Sequence, residues 1–210
     1  GSRLEFDATG TDIWISFFQD TVTFGAAGGG TIDFIAGNIL MQGGPGTNTF
    51  RTLGGAQNTI TSSGGTAFFN PQGPNTVQFD VADGTDPIDL VRDLTMRNGN
   101  LQKSGAGTAS LSYATNNLNG TVTIDAGTLE ISGAGRLQSG AYSGANTNNG
   151  NLRFNSTAAQ TLSGVMSGTG TLEKDNTGTV TLTGANTYSG TTTITNGEVA
   201  LSGSGSIDNS

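Results

Sequence analysis

Leu101-Gln-Lys103-Ser-Gly-Ala-Gly107-Thr-Ala-Ser-Leu111 and Leu172-Glu-Lys174-Asp-Asn-Thr-Gly178-Thr-Val-Thr-Leu182 are one pattern written twice. Leu101, Lys103, Gly107 and Leu111 each return 71 residues later. The match runs on through Gly120-Thr-Val-Thr-Ile124-Asp-Ala-Gly127-Thr-Leu129 and Gly190-Thr-Thr-Thr-Ile194-Thr-Asn-Gly197-Glu-Val199, now at an offset of 70. Short runs that alternate apolar and polar residues, closed by glycine and repeated at long period, are the mark of a stacked β array.

The rest of the chain speaks the same language. Thr21-Val-Thr-Phe24, Thr31-Ile-Asp-Phe-Ile35, Thr76-Val-Gln-Phe79, Thr128-Leu-Glu-Ile131 and Leu152-Arg-Phe154 are short alternating runs between Gly, Asn and Ser. Helical spacing is scarce; Asp89-Leu-Val-Arg-Asp-Leu-Thr-Met96 alone passes for a helical turn or two. Stacking such coils at the inter-strand spacing gives an all-β, right-handed parallel β-helix of roughly nine to ten coils. The seventy-residue offset then corresponds to about three coils. We expect one continuous domain with two halves. Residues 1–97 are richer in aromatics, with a capping or docking segment at 1–20; residues 98–210 carry the repeats, at about 98–131 and 162–201.

Composition narrows the function. The 210 residues include 35 Gly, only 11% charged residues, no Cys and no His. That removes disulfides, thiolate chemistry and His/Cys zinc sites. A net charge of −8 argues against nucleic acid and against anionic membranes. No apolar run is long enough to span a bilayer as a helix.

Three constellations deserve a chemical reading. Asp80, Asp83, Asp86, Asp89 and Asp93 crowd one segment, and oxygen-rich turns of this kind can hold Ca²⁺. The spacing fits no calcium loop, and Asp-Gly and Asp-Pro steps are ordinary turn chemistry, so the preferred reading is carboxylates capping backbone amides and no metal. Asp33 and Glu130 are the acids a β-helix glycosidase would need, but both read as isolated, outward and solvated. Thr-x-Thr pairs such as Thr121/Thr123 and Thr191/Thr193 read as β-propensity, not as an ice-binding ladder. No catalytic residue and no cofactor is expected. Lys103 and Lys174 read as stems covering a coil edge with their heads in water. Asn186 reads as a corner cap or part of an asparagine stack, and Tyr188 as a core or corner filler. The inward positions expected of the repeats are Leu101, Leu111, Ile124, Leu129, Leu172, Leu182, Ile194 and Val199.

From Leu162 the chain reads Leu-Ser-Gly-Val-Met-Ser-Gly-Thr-Gly-Thr-Leu-Glu-Lys174, then Leu182-Thr-Gly-Ala-Asn186-Thr-Tyr188-Ser-Gly190, then Ile194-Thr-Asn-Gly197-Glu-Val199. This closely resembles the autotransporter-associated β-strand repeat, or passenger-associated transport repeat. Residues 98–131 carry a weaker copy, with Asn116-Asn-Leu118-Asn-Gly120 in place of the Asn-x-Tyr-x-Gly centre. The resemblance implies a right-handed β-helix, secretion, a bacterial cell surface and no catalytic residue. The sequence holds no outer-membrane barrel, which reads either as a passenger fragment acting in export and adhesion or as a protein using the repeat without that route. A structural subunit stacking end to end into a fibre is the favoured expectation. Ile13, Trp14, Phe17 and Phe18 at one end and Leu201 and Ile207 at the other are its candidate contacts. A polysaccharide-active enzyme is the remote alternative. No residue pattern names a surface glycan or host-matrix ligand.

Overall fold

The computed structural model describes residues 3–7, 13–17, 21–25, 29–36, 38–43, 46–62, 66–70, 75–93, 95–114 and 116–207. The chain begins β1 (Arg3–Asp7), β2 (Ile13–Phe17), β3 (Thr21–Phe24), then β4 (Thr31–Ala36), β5 (Asn38–Gly43), β6 (Thr47–Thr52). It continues with β7 (Asn58–Thr61), β8 (Thr66–Asn70), β9 (Thr76–Val81), then β10 (Leu90–Asp93), β11 (Thr95–Met96), β12 (Asn100–Ser104). After β13 (Thr108–Leu111) and β14 (Val122–Ile124) come β15 (Thr128–Gly133), β16 (Ala141–Tyr142) and β17 (Asn146–Asn148). β18 (Asn151–Ser156), β19 (Gln160–Leu162), β20 (Met166–Ser167), β21 (Thr171–Leu182) and β22 (Thr192–Leu201) complete it.

Every pairing among these strands is parallel. The fold is an all-β parallel β-solenoid with three walls. The first stacks β1-β4-β7-β10-β13-β15-β18-β21, with β22 on β21. The second stacks β2-β5-β8-β11, passes through the Arg97–Asn117 bridge, and resumes as β16, β19 and the far halves of β21 and β22. The third stacks β3-β6-β9-β12-β14-β17-β20. Among the described residues there is no α-helix; a 3-10 turn at Gln138–Gly140 is the one helical element. The segment read as helical, Asp89–Met96, is instead β10 and β11. β10 is hydrogen-bonded to β7 on one side and β13 on the other, and this two-sided pairing overrides the local spacing.

Alternation places every second residue in the core. In β9, Val77, Phe79 and Val81 are buried while Thr76, Gln78 and Asp80 are half-buried. Because the register is parallel, inward residues stack. On the first wall Ala109, Leu129, Leu152 and Leu172 form one column. On the third wall Phe50 lies against Phe79, ring centroids 6.0 Å apart. Each buried leucine contributes about 1.5–3 kcal/mol. The glycine load follows from the corners: a Cβ at Gly164 or Gly190 would collide with the backbone carbonyl of Gly144 or Gly170 directly beneath.

The repeats do not return to the same wall. Leu101 lies in β12 on the third wall, Leu172 in β21 on the first. From Leu101 the chain reaches Ala109 on the first wall, and the column Ala109–Leu129–Leu152–Leu172 then climbs three coils. The offset is therefore three coils plus one wall, not three coils.

Candidate functional site

The two lysines are not solvated. Lys103 and Lys174 are 0% and 1% exposed. Each occupies an inward position of its strand, Lys103 between Phe79 and Ile124, Lys174 between Phe154 and Ile194. The stem fills a core slot and the ammonium turns into the corner, where backbone carbonyls converge. Lys103 Nζ donates to Ser104 O at 2.7 Å, Gly105 O at 2.8 Å and Ala126 O at 3.2 Å. Lys174 Nζ donates to Asn176 O and, at 3.5 Å, to Asn196 O. Burial pushes the Lys103 ammonium down to about 8, against the pull of Asp80 and Asp89. Burial also lowers Lys174, against Asp175. The sequence reading of water-exposed heads fails because it assumed an outward position; here one cation satisfies carbonyls of two successive coils, which no apolar residue could do.

Asn116 and Asn186 are the second shared device, each 1% exposed. Asn186 Oδ1 accepts from Met166 N at 2.8 Å, and its Nδ2 donates to Ser206 O at 3.0 Å. Asn116 Oδ1 accepts from Met96 N at 3.3 Å, and its Nδ2 donates to Arg136 O at 2.9 Å and Tyr113 O at 3.0 Å. Each asparagine thus bridges the coil before it and the coil after it. Arg92, also buried, donates to Asn116 Oδ1. It occupies an inward slot between Ile60 and Leu111, a role the sequence reading missed because an arginine in an alternating run looks solvated. The repeated Met96 and Met166, each twenty residues before its asparagine, were the available signal.

Tyr188 is buried and its hydroxyl lies 2.5 Å from Thr192 Oγ1, while Leu118 fills the equivalent place in the first copy. Tyr142 is buried with its hydroxyl on Gly120 O at 2.7 Å. Burial raises both phenols, Tyr142 strongly.

Of the expected core positions, Leu101, Leu111, Ile124, Leu129, Leu172 and Leu182 are at most 1% exposed. Val199 is half-buried against the core, but Ile194 is 50% exposed. Ile194 continues the Phe154–Lys174 column, and among the described residues no strand stacks on β22 to cover it.

The acidic segment takes up turn duties. Asp89 accepts from Gly84 N and Thr108 N, each at 2.8 Å, and Asp86 from Gln57 N at 2.7 Å. Asp80 pairs with Arg51 Nε at 2.7 Å. Among the described residues no group of acids, Asp83 included, converges to a metal geometry. Asp33 and Glu130, read as solvated, are 3% and 1% exposed. Glu130 accepts from Ser110 Oγ at 3.1 Å and sits 3.5 Å from Arg153, which also holds Asp175 at 2.5 Å and Glu173 at 3.7 Å. Burial opposes the Arg153 charge, but Asp175, Glu130 and Glu173 together raise it. These carboxylates serve a cation on the wall of the solenoid.

Of the candidate assembly contacts, Ile13, Trp14 and Phe17 belong to β2, which pairs with β5 as a wall strand. Phe18 lies outside the described residues. Leu201 is 51% exposed and Ile207 packs partly against the core.

The family model of the passenger-associated transport repeat matches residues 101–131 and 172–201. The chain therefore carries two copies of that repeat, and each holds one lysine corner and one bridging asparagine. No curated protein matches the chain, and neither does any solved structure.

Proposed function

We propose that this chain is a non-catalytic, passenger-type β-solenoid segment of a bacterial cell surface, in which each transport repeat staples successive coils in register. The repeat and the solenoid fold fit an autotransporter passenger-like fragment, and the repeat points to a secreted or surface protein. The observation that carries the reading is the reuse of both devices: a lysine joining corner carbonyls of two coils, and an asparagine joining three coils, at both matched segments. A right-handed sense of the stack belongs to the same reading, as parallel crossover connections take that hand. A continuous domain across 1–97 and 98–210 is supported by the parallel pairing of β9 with β12 and of β10 with β13. Treating intact cells with protease tests the reading. Loss of antibody signal for the protein, with a cytoplasmic marker spared, is expected; full protection of the protein overturns it.

End-to-end association into a fibre has one observation in its favour: Ile194 and Leu201 present apolar surface on β22. Sedimentation of the chain with Ile194 and Leu201 changed to Asp tests it, with loss of a polymer as the supporting result and an unchanged monomer in both as the opposing one.

A further inference from the structure

We infer that Asn196 is a self-modifying residue, in which the caged Lys174 ammonium promotes attack of the Gly197 backbone nitrogen on the Asn196 side chain. Gly197 N donates to Asn196 Oδ1 at 2.8 Å, which holds the nucleophile beside the side-chain amide it would attack. Lys174 Nζ lies 3.5 Å from Asn196 O, the carbonyl of the same peptide group whose nitrogen is Gly197 N. A cation on that oxygen draws electron density from the peptide and makes its N–H more acidic. The Cβ position of Gly197 lies 2.8 Å from Lys174 Nζ, and φ there is +80°, so glycine is required and leaves the approach unhindered. Asn196 is exposed, which gives water access and ammonia an exit.

The step balances without a co-reactant other than water. Hydroxide takes the Gly197 N–H proton; the N–Cγ bond forms, the Cγ–Nδ2 bond breaks, and ammonia leaves with a proton from water. Water then opens the succinimide to aspartate or isoaspartate.

The chain supplies its own comparisons. In the first repeat Lys103 holds Ala126 O, and alanine has nothing to react. Asn176 has the same geometry, with Thr177 N on its Oδ1 at 2.8 Å and Lys174 on its carbonyl. Its amide, however, is engaged by Asn155, and a branched threonine follows. Among the other Asn-Gly steps, Asn149 receives Thr169 N and Asn119 donates to Asn98.

The test is peptide mapping by mass spectrometry of the intact chain during incubation at mildly alkaline pH. Conversion at Asn196 ahead of Asn98, Asn119, Asn149 and Asn176 is expected, and a slower Asn196 overturns the proposal. In Lys174→Met, conversion at Asn196 should fall by about three- to fivefold, the weight of a long contact to the ammonium, while Lys103→Met leaves it unchanged. An unchanged rate in folded Lys174→Met overturns the proposal; if that variant does not fold, the ranking in the unmodified chain decides alone.

Discussion

Lys103 and Lys174 hold the same place in the repeat but close different corners of the solenoid, Lys103 between the third and first walls and Lys174 between the first and second. The repeat is thus a unit of coil-to-coil bonding that any corner can host. What it conserves is a stack: Phe79–Lys103–Ile124 in one copy, Phe154–Lys174–Ile194 in the other. Replacing Lys103 by Met should keep the stem and remove the donors. Three carbonyls then lose their partner, and the expected cost is about 1–3 kcal/mol, read from urea unfolding. Lys174→Met should cost less, because its corner adjoins the exposed strand β22.

Asn116→Ala should be the more damaging of the two asparagine changes. It frees Met96 N, Tyr113 O and Arg136 O, and also strips a partner from buried Arg92. About 2–4 kcal/mol is expected for Asn116→Ala and about 1–3 for Asn186→Ala. Hydrogen exchange gives the sharper reading. Asn186→Ala should speed exchange at the Met166 amide and leave that of Met96 as it was.

Core and edge leucines separate the two meanings of the repeat alignment. Leu172→Ala should cost about 2–5 kcal/mol, since the side chain is fully buried in a continuous column. Ile194→Ala should cost less than about 1 kcal/mol, despite its matching place in the alignment, because half of its surface already faces water. Equal costs would mean that β22 is covered.

The strand pattern, the parallel stacking and the buried leucines were legible because alternation and glycine spacing report them directly. The inward lysines and Arg92 were not, nor was the burial of Asp33 and Glu130, which keep the outward alternation but are covered there. An alternating run marks which residues share a face, and a charged side chain in it reads as belonging to the outer one. In a solenoid that inference fails wherever a corner brings unpaired carbonyls together, since those need a buried donor. The wall on which each repeat sits was also hidden, because the coils differ in length: Thr128 pairs with Asn151 but Asn151 with Thr171. A period read from sequence cannot resolve a step that is not constant.

The acidic segment makes a plain prediction about metal. Asp80, Asp86 and Asp89 are committed to Arg51, Gln57 N, Gly84 N and Thr108 N. Chelator should leave the melting temperature unchanged. A fall of several degrees would show that calcium binds at Asp80, Asp83, Asp86 and Asp89 after all.

Alkaline pH should first strengthen the solenoid and then weaken it. Lys103 falls from its ordinary 10.5 to about 8 in the folded chain, so the folded state binds fewer protons than the unfolded one between those values. Stability from this group is complete above 10.5 and is lost as pH falls through about 8. Lys174 moves in the same direction. The buried phenols oppose this at higher pH. Tyr142 and Tyr188 are raised from 10.0, so above that value the unfolded chain ionises first, and their contribution drains away as pH climbs. Melting temperature should therefore rise from pH 8 toward pH 10 and fall beyond it. Two variants assign the limbs. Lys103→Met should flatten the rise, and Tyr142→Phe should soften the fall while costing one hydrogen bond to Gly120 O. A profile that falls steadily from pH 8 would show that the corner carbonyls hold the Lys103 charge more firmly than burial expels it.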